Sequence, residues 1–157
     1  MTTQLSRRHF LAGLAAASAA LWVRGAFAAE PLVLVVGTHS PVTNLDSNEL
    51  RRIFLEKPTV GPGGVSYVAL NHPKSSPYRA RFDQAVLRMD PDEVQRYWVD
   101  QKIRGMKSPR VVDPGAIPLL LEKVPGAVAY LPLSAAKGVK AVSIDGKAPT
   151  ASGYLLR

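Results

Sequence analysis

The chain has 157 residues, a length that favours a single domain, and 46% hydrophobic with 20% charged residues is typical of a globular protein. It has no cysteine, which excludes disulfides, thiol catalysis and cysteine-type zinc sites. The formal net charge of +8 favours an anionic partner, but the bases are interleaved with acids and form no dense tract, which argues against nucleic acid.

Residues 1–28 have the pattern of an export signal. Residues 6–11 (SRRHFL) resemble the twin-arginine motif, and the apolar run at 11–23 is shorter than the about 20 residues that cross a bilayer. Residues 26–28 (AFA) fit a signal peptidase site. We therefore expect cleavage near Ala28, one domain over 29–157 and a periplasmic location, with an uncleaved membrane anchor as the alternative. Without this leader, 17 bases remain against 12 acids, a net charge of +5.

The mature chain opens with a predicted buried strand. Residues 31–37 (PLVLVVG) form a continuous apolar, β-branched run, which is typical of a strand covered on both faces, as in parallel sheets. A polar loop with Thr38 and Ser40 follows at its carboxyl end, where α/β proteins place ligands. Asp46 and Glu49 then have capping-box spacing, so Asp46 is predicted to be the N-cap of a short helix rather than a catalytic acid.

A second predicted strand, residues 65–70, leads into a polar loop and another helix. Ser76 is a natural N-cap, and Pro77 suits the first helical position, where the missing N–H costs nothing. Backbone N–H groups and the positive end of the helix dipole would therefore meet at this helix start. Such a start is a ready anion site, although a purely structural helix cap is the alternative.

The side chains around this helix start are polar or basic. We expect Ser75 and Ser76 to donate hydrogen bonds to a small anion, and Lys74 or Arg79 to supply positive charge. Thr38 and Ser40, after the first strand, could complete the ring of donors. The sequence therefore predicts six anion-binding residues: Lys74, Ser75, Ser76, Arg79, Thr38 and Ser40.

The rest of the chain continues to alternate between helices and strands. Asp90 and Asp113, each followed by proline, predict two more helices, the first with Val94, Tyr97 and Trp98 as core residues. The basic connector at 101–110 is predicted as a solvated loop, or alternatively as a positive rim over a ligand cleft. Residues 127–131 and 139–144 predict further strands. The fold class is therefore α/β, with a mainly parallel or mixed sheet flanked by helices.

Two motifs resemble the phosphate-binding periplasmic proteins, which are the substrate-binding components of phosphate ABC transporters. Residues 48–57 (NELRRIFLEK) resemble the E-L-x-x-I-F-L-G-K helix of that family, and residues 124–130 (VPGAVAY) resemble its T-P-G-A-I-G-Y strand entry. Residues 75–77 (SSP) stand where the family has S-G-T. The resemblance covers residues 32–144 and implies a binding-protein-like fold, phosphate or a related oxyanion as ligand, and an ABC permease as partner.

Members of that family have two lobes that close around the ligand, whereas the mature chain corresponds to one lobe. The alternative function is therefore an accessory module that docks on a transporter, sensor or enzyme, or a homodimer that rebuilds a two-sided cleft. Catalysis is not expected, because His39 and His72 are the only histidines after the leader and no G-x-S-x-G nucleophile elbow is present. The sequence likewise predicts no cofactor and no metal.

Overall fold

The computed structural model describes residues 30–157, so the predicted export signal and its cleavage point lie outside the described residues. None of the helices in this range combines the length and the apolar character that a bilayer crossing requires. Six strands form one sheet: β1 (Leu32–Val36), β2 (Asn44–Leu45), β3 (Val68–Asn71), β4 (Arg110–Val111), β5 (Ala127–Pro132) and β6 (Lys140–Ile144). Between residues 30 and 157, four α-helices accompany these strands: α1 (Ser47–Phe54), α2 (Pro77–Phe82), α3 (Pro91–Ile103) and α4 (Ile117–Lys123).

The sheet is mixed, with the strand order β2-β6-β1-β5-β3-β4. Strand β1 runs antiparallel to both of its neighbours, with Leu34 opposite Tyr130 of β5 and Val142 of β6. The other neighbouring pairs are parallel. The predicted α/β class with a mainly parallel or mixed sheet is thus confirmed, in its mixed form. Because β3 is parallel to β5 and β5 is antiparallel to β1, the carboxyl ends of β1 and β3 lie at opposite edges of the sheet.

Strand β1 is buried on both faces, as its unbroken apolar sequence predicts. Its side chains alternate between two cores, since successive residues of a strand point to opposite faces. Leu32, Leu34 and Val36 join the larger core, with α1 and α2, whereas Val33 and Val35 join the smaller core, with α4. The helices therefore cover both faces of the sheet.

Three aspartates begin helices as predicted. The Asp46 carboxylate accepts a hydrogen bond from the Glu49 N–H at 2.7 Å, and Asp90 forms a complete capping box with Glu93. Asp113 accepts from the Gly115 N–H at 2.8 Å, at the start of a short 3₁₀ turn (Pro114–Ala116) that leads into α4. These contacts satisfy N–H groups that the first helical turn leaves without partners. All three carboxylates thus have a structural role at a helix start.

Gly126 makes the turn into β5 possible, with φ of +76°. A Cβ atom there would lie 2.1 Å from the Ser66 carbonyl oxygen, so substitution adds a backbone clash to the cost of a left-handed conformation.

We expect Gly126→Ala to lower the free energy of unfolding by about 2 kcal/mol or more in urea denaturation. The matched control is Gly138→Ala, which has the same φ of +76° but nothing within 4 Å of the added Cβ, and should cost only about 1 kcal/mol. Equal losses in the two variants would show that the Ser66 contact is unimportant.

Candidate functional site

The loop after β3 brings four of the predicted site residues together at the start of α2. Lys74 and Ser75 are exposed and Ser76 is half-buried. The Ser76 N–H donates to the Pro73 carbonyl at 2.9 Å, which closes the turn, and the Ser76 carbonyl accepts from the Arg79 N–H at 3.0 Å. Ser76 has the extended backbone of an N-cap, but its hydroxyl makes no capping hydrogen bond, so it is available to a ligand.

Arg79 is held firmly one turn into α2. Its Nε donates to Asp83 Oδ2 at 2.9 Å and its Nη1 to the His72 carbonyl at 2.9 Å. Burial raises the pKa of the Asp83 carboxyl, and the positive charge of Arg79 opposes that rise. Arg79 therefore has a fixed orientation, but part of its charge is compensated by Asp83.

His72, just before this loop, is fully buried. Its Nε2 lies 2.8 Å from the Tyr130 carbonyl, which can only accept, so Nε2 carries the proton. Burial is the main cause that lowers the His72 pKa, and the nearby Arg79 charge acts in the same direction. The ring stacks on Tyr130 with centroids 4.7 Å apart. His72 is thus a neutral core residue that shapes the loop.

Thr38 and Ser40 lie at the opposite edge of the sheet, because β1 is antiparallel to β5. The Thr38 N–H and hydroxyl donate to the two carboxylate oxygens of Glu122, at 2.6 and 3.1 Å. These bonds and the nearby His39 hold the pKa of Glu122 below its ordinary value, the backbone N–H being the largest cause. The Ser40 hydroxyl accepts from the Val42 N–H at 3.3 Å. The structure therefore does not bring Thr38 and Ser40 together with the four residues at the start of α2.

Two cavities accompany these two groups. Ser40 and His39 line a pocket of about 270 Å³ beside Glu122 and Tyr67. Lys74 and Arg79 line a larger cavity of about 680 Å³ between the start of α2, helix α3 and the segment 105–109. From Leu32 to Val36, β1 spans four steps of about 3.3 Å, or about 13 Å, which is the approximate distance between the two opposite edges of the sheet at which these groups lie.

We call the larger space the α3 cavity. Its cationic lining residues are Lys74, Arg79, Lys102 and Lys107, and Asp83 is the carboxylate among its lining residues. Lys102 and Lys107 belong to the predicted basic connector, for which a positive rim was the alternative prediction. The structure places Lys102 in the last turn of α3, so the connector begins later than predicted. Trp98, predicted as a core residue, lies half-buried on the cavity wall. No local sequence pattern predicts the cavity itself, because its walls come from separate elements.

No protein-family model matches the chain, and no curated protein is significantly similar to it in sequence. Its fold does match solved structures. An ABC-type phosphate transport receptor from Vibrio cholerae has a TM-score of 0.61 and 21% identity, over 77% of this chain and 48% of the receptor. A putative phosphate ABC transporter substrate-binding protein from Clostridium perfringens, solved with bound phosphate, has a TM-score of 0.60 and 21% identity, over 74% and 46%.

PstS from Borrelia burgdorferi gives a TM-score of 0.58 at 18% identity, over 77% of this chain and 49% of that protein. The chain thus spans about half the length of the solved structures it matches. The resemblance found in the helix and strand motifs is confirmed at the level of the fold: about three quarters of this chain has the fold of about half of an ABC-type phosphate transport receptor.

Proposed function

We propose that this protein is an exported, periplasmic solute-binding protein that holds phosphate or a related small oxyanion at the start of α2, for ABC-type uptake. The observation that carries the proposal is the shared fold with phosphate receptors, one of which was solved with phosphate bound. The predicted export signal supports the location, and the receptors named above support an ABC permease as partner.

The chemistry of the α2 start is consistent with this proposal. Two serine hydroxyls and the Lys74 ammonium stand at an accessible helix start, and no acidic side chain caps it. Hydrogen bonds from neutral donors to an anion are stronger than those between neutral groups. Arg79 adds a guanidinium that is already oriented by Asp83 and the His72 carbonyl. Thr38 and Ser40 are not part of the proposed site, because they lie at the other sheet edge.

The proposal is tested by isothermal titration calorimetry of the full-length chain with phosphate, using sulfate as the comparison anion. We expect the double variant Ser75→Ala, Ser76→Ala to weaken phosphate binding about a hundredfold, since each hydrogen bond to a charged group contributes about 1.5 kcal/mol or more. The matched control is Ser152→Ala, an exposed serine far along the chain in the C-terminal segment, which should bind like the parent. Absence of heat at millimolar phosphate, or equal binding by the double variant, would contradict the proposal.

Because the matched receptors belong to ABC-type transport, a second candidate function is an accessory module that docks on a transporter. The two candidates differ in what the protein binds. The test is whether the protein co-purifies with a specific membrane protein. If the Ser75→Ala, Ser76→Ala variant co-purifies with that membrane protein as well as the parent does, the result would favour the docking module over solute binding.

A further inference from the structure

The α3 cavity is much larger than the proposed oxyanion requires. Phosphate and sulfate have the size of a few water molecules, each of which takes about 30 Å³ in the liquid. The cavity of about 680 Å³ instead falls in the range of about 300–1,000 Å³ that is typical of sites for drug-sized organic ligands. An inorganic anion at the start of α2 would leave most of this space unused.

The walls of the α3 cavity are mainly apolar. They comprise Pro91, Val94, Trp98, Val99, Met106, Pro109 and Val111. Two of these side chains are unusually exposed for aliphatic residues, Val99 at 56% and Val111 at 56%. Ile103, one helical turn beyond Val99, is 81% exposed. Exposed aliphatic side chains beside an apolar cavity are typical of a site at which something apolar binds.

The charged residues of the α3 cavity are predominantly positive. Asp83 is paired with Arg79, so these two charges largely compensate each other. Lys74 donates to the neutral Gln95 side chain, and its charge is not compensated there. Within residues 30–157, Lys102 and Lys107 belong to neither of the two ion pairs. The cavity therefore combines an apolar wall with an excess of about three positive charges.

We propose that the α3 cavity binds an organic anion with one charged head and an apolar body, such as a medium-chain carboxylate. The apolar body packs against Trp98, Val99 and Met106, and the head faces Lys102 and Lys107. Both lysines are exposed lining residues, and a lysine stem can pack along an apolar wall while its ammonium group stays solvated. This inference goes beyond the proposed function. The cavity shares Lys74 and Arg79 with the proposed oxyanion site, but Lys102 and Lys107, which hold the head, do not belong to the start of α2.

The test uses octanoate and the emission of Trp98. The chain has two tryptophans, Trp22 and Trp98, so the full-length Trp22→Phe variant reports on the cavity alone. We expect saturable octanoate binding with a shift of Trp98 emission to shorter wavelength. 1-Octanol, which has the same tail without the charge, should bind at least tenfold more weakly, and acetate, which has the head without the tail, should leave the emission unchanged.

Charge removal identifies the residues that hold the head. In the same background, Lys102→Gln with Lys107→Gln should weaken octanoate at least tenfold and leave 1-octanol binding unchanged. The matched control, Lys123→Gln with Lys137→Gln, removes two exposed lysines that do not line the cavity and should retain the parent affinity. Measurements at low ionic strength keep the screening of these charges small.

Three results would overturn the proposal. The first is 1-octanol binding as tightly as octanoate, and the second is acetate competing with octanoate at equal concentration. The third is a Trp98 emission that does not respond to octanoate at millimolar concentration. A concentration-dependent dimer whose Trp98 is already shielded and insensitive to octanoate would assign the apolar wall to a second copy instead. Phosphate binding is measured separately through the Ser75 and Ser76 variants, so either hypothesis can fail while the other stands.

Discussion

Replacing Tyr130 by alanine should lower the free energy of unfolding by about 3–5 kcal/mol, the range observed when large aromatic side chains are truncated in a core. Tyr130 is fully buried in the central strand pair β1–β5. Its ring stacks on Phe82 of α2 with centroids 3.8 Å apart and an interplanar angle of 5°, and on His72 at 4.7 Å. Truncation would remove this stacking contact between the sheet and α2. Urea denaturation followed by circular dichroism measures the loss.

The Tyr130→Phe variant separates the ring from the hydroxyl. The hydroxyl donates to Asn71 Oδ1 at 2.5 Å, and that oxygen also accepts from the His72 N–H at 3.0 Å. Asn71 Oδ1 therefore keeps one partner when the hydroxyl is removed, and the loss should be only about 1 kcal/mol. A loss in Tyr130→Phe equal to that in Tyr130→Ala would show that the hydrogen bond, and not the stacking, stabilises this region.

The second large effect is expected at Arg79. The Arg79→Met variant leaves the Asp83 carboxylate buried without its ion-pair partner, which should cost about 3 kcal/mol at pH 7, near the low end for breaking a buried pair. The two side chains are only 12% and 5% exposed. Thermal or urea unfolding measures the change in stability, and calorimetry on the same variant shows whether Arg79 also contributes to phosphate binding.

The loss in Arg79→Met should become smaller as the pH falls. Burial raises the pKa of Asp83 in the folded state, so ionisation of Asp83 opposes folding. Stability from this group is therefore fully present below its unfolded pKa, about 3.9, and is lost as the pH rises through the folded pKa. Without Arg79 the folded pKa rises further, so the variant loses more stability than the parent at neutral pH. Near pH 3 the Asp83 carboxyl is protonated in both the parent and the variant, so the difference in stability that its charge causes disappears.

Arg104→Met provides the matched control, because Arg104, the residue that ends α3, forms an ion pair with Asp100 at the same spacing of four residues, at 3.1 Å. Those side chains are 67% and 54% exposed, and exposed pairs contribute about 0.5 kcal/mol or less. A loss at Arg104 as large as the loss at Arg79, or a loss at Arg79 that does not vary between pH 7 and pH 3, would contradict the assignment.

Much of the fold could be predicted because local patterns determine it. The capping aspartates and the period of apolar residues predicted α1, α3 and α4. Apolar runs predicted β1 and β5, and an alternating pattern predicted β6. The direction of β1 could not be predicted, since a strand covered on both faces has the same apolar sequence whether its neighbours are parallel or antiparallel. The two-residue strands β2 and β4 are too short to leave a periodic signal.

The candidate site was predictable only where its residues are close in sequence. Lys74, Ser75, Ser76 and Arg79 lie within one loop and one helical turn, so any fold with a helix at Pro77 keeps them together. Grouping them with Thr38 and Ser40 assumed that β1 and β3 end at the same edge of the sheet. That assumption is wrong, because β1 pairs antiparallel with β5 and therefore ends at the opposite edge of the sheet from β3. The role of Lys74, Ser75, Ser76 and Arg79 in anion binding stays a prediction, which the calorimetry with phosphate tests.

The position of β1 also has a consequence for how the chain folds. Leu34 pairs with Tyr130 of β5 and Val142 of β6. The first strand of the described chain therefore has no neighbouring strand until the last two strands, β5 and β6, have formed. Such long-range pairing is slow, because loop closure is needed before the contacts form. Until then β1 is an uncharged, β-branched segment with two open edges, a template for aggregation. During synthesis this strand emerges early and is covered late, so it is the segment that a chaperone would have to shield.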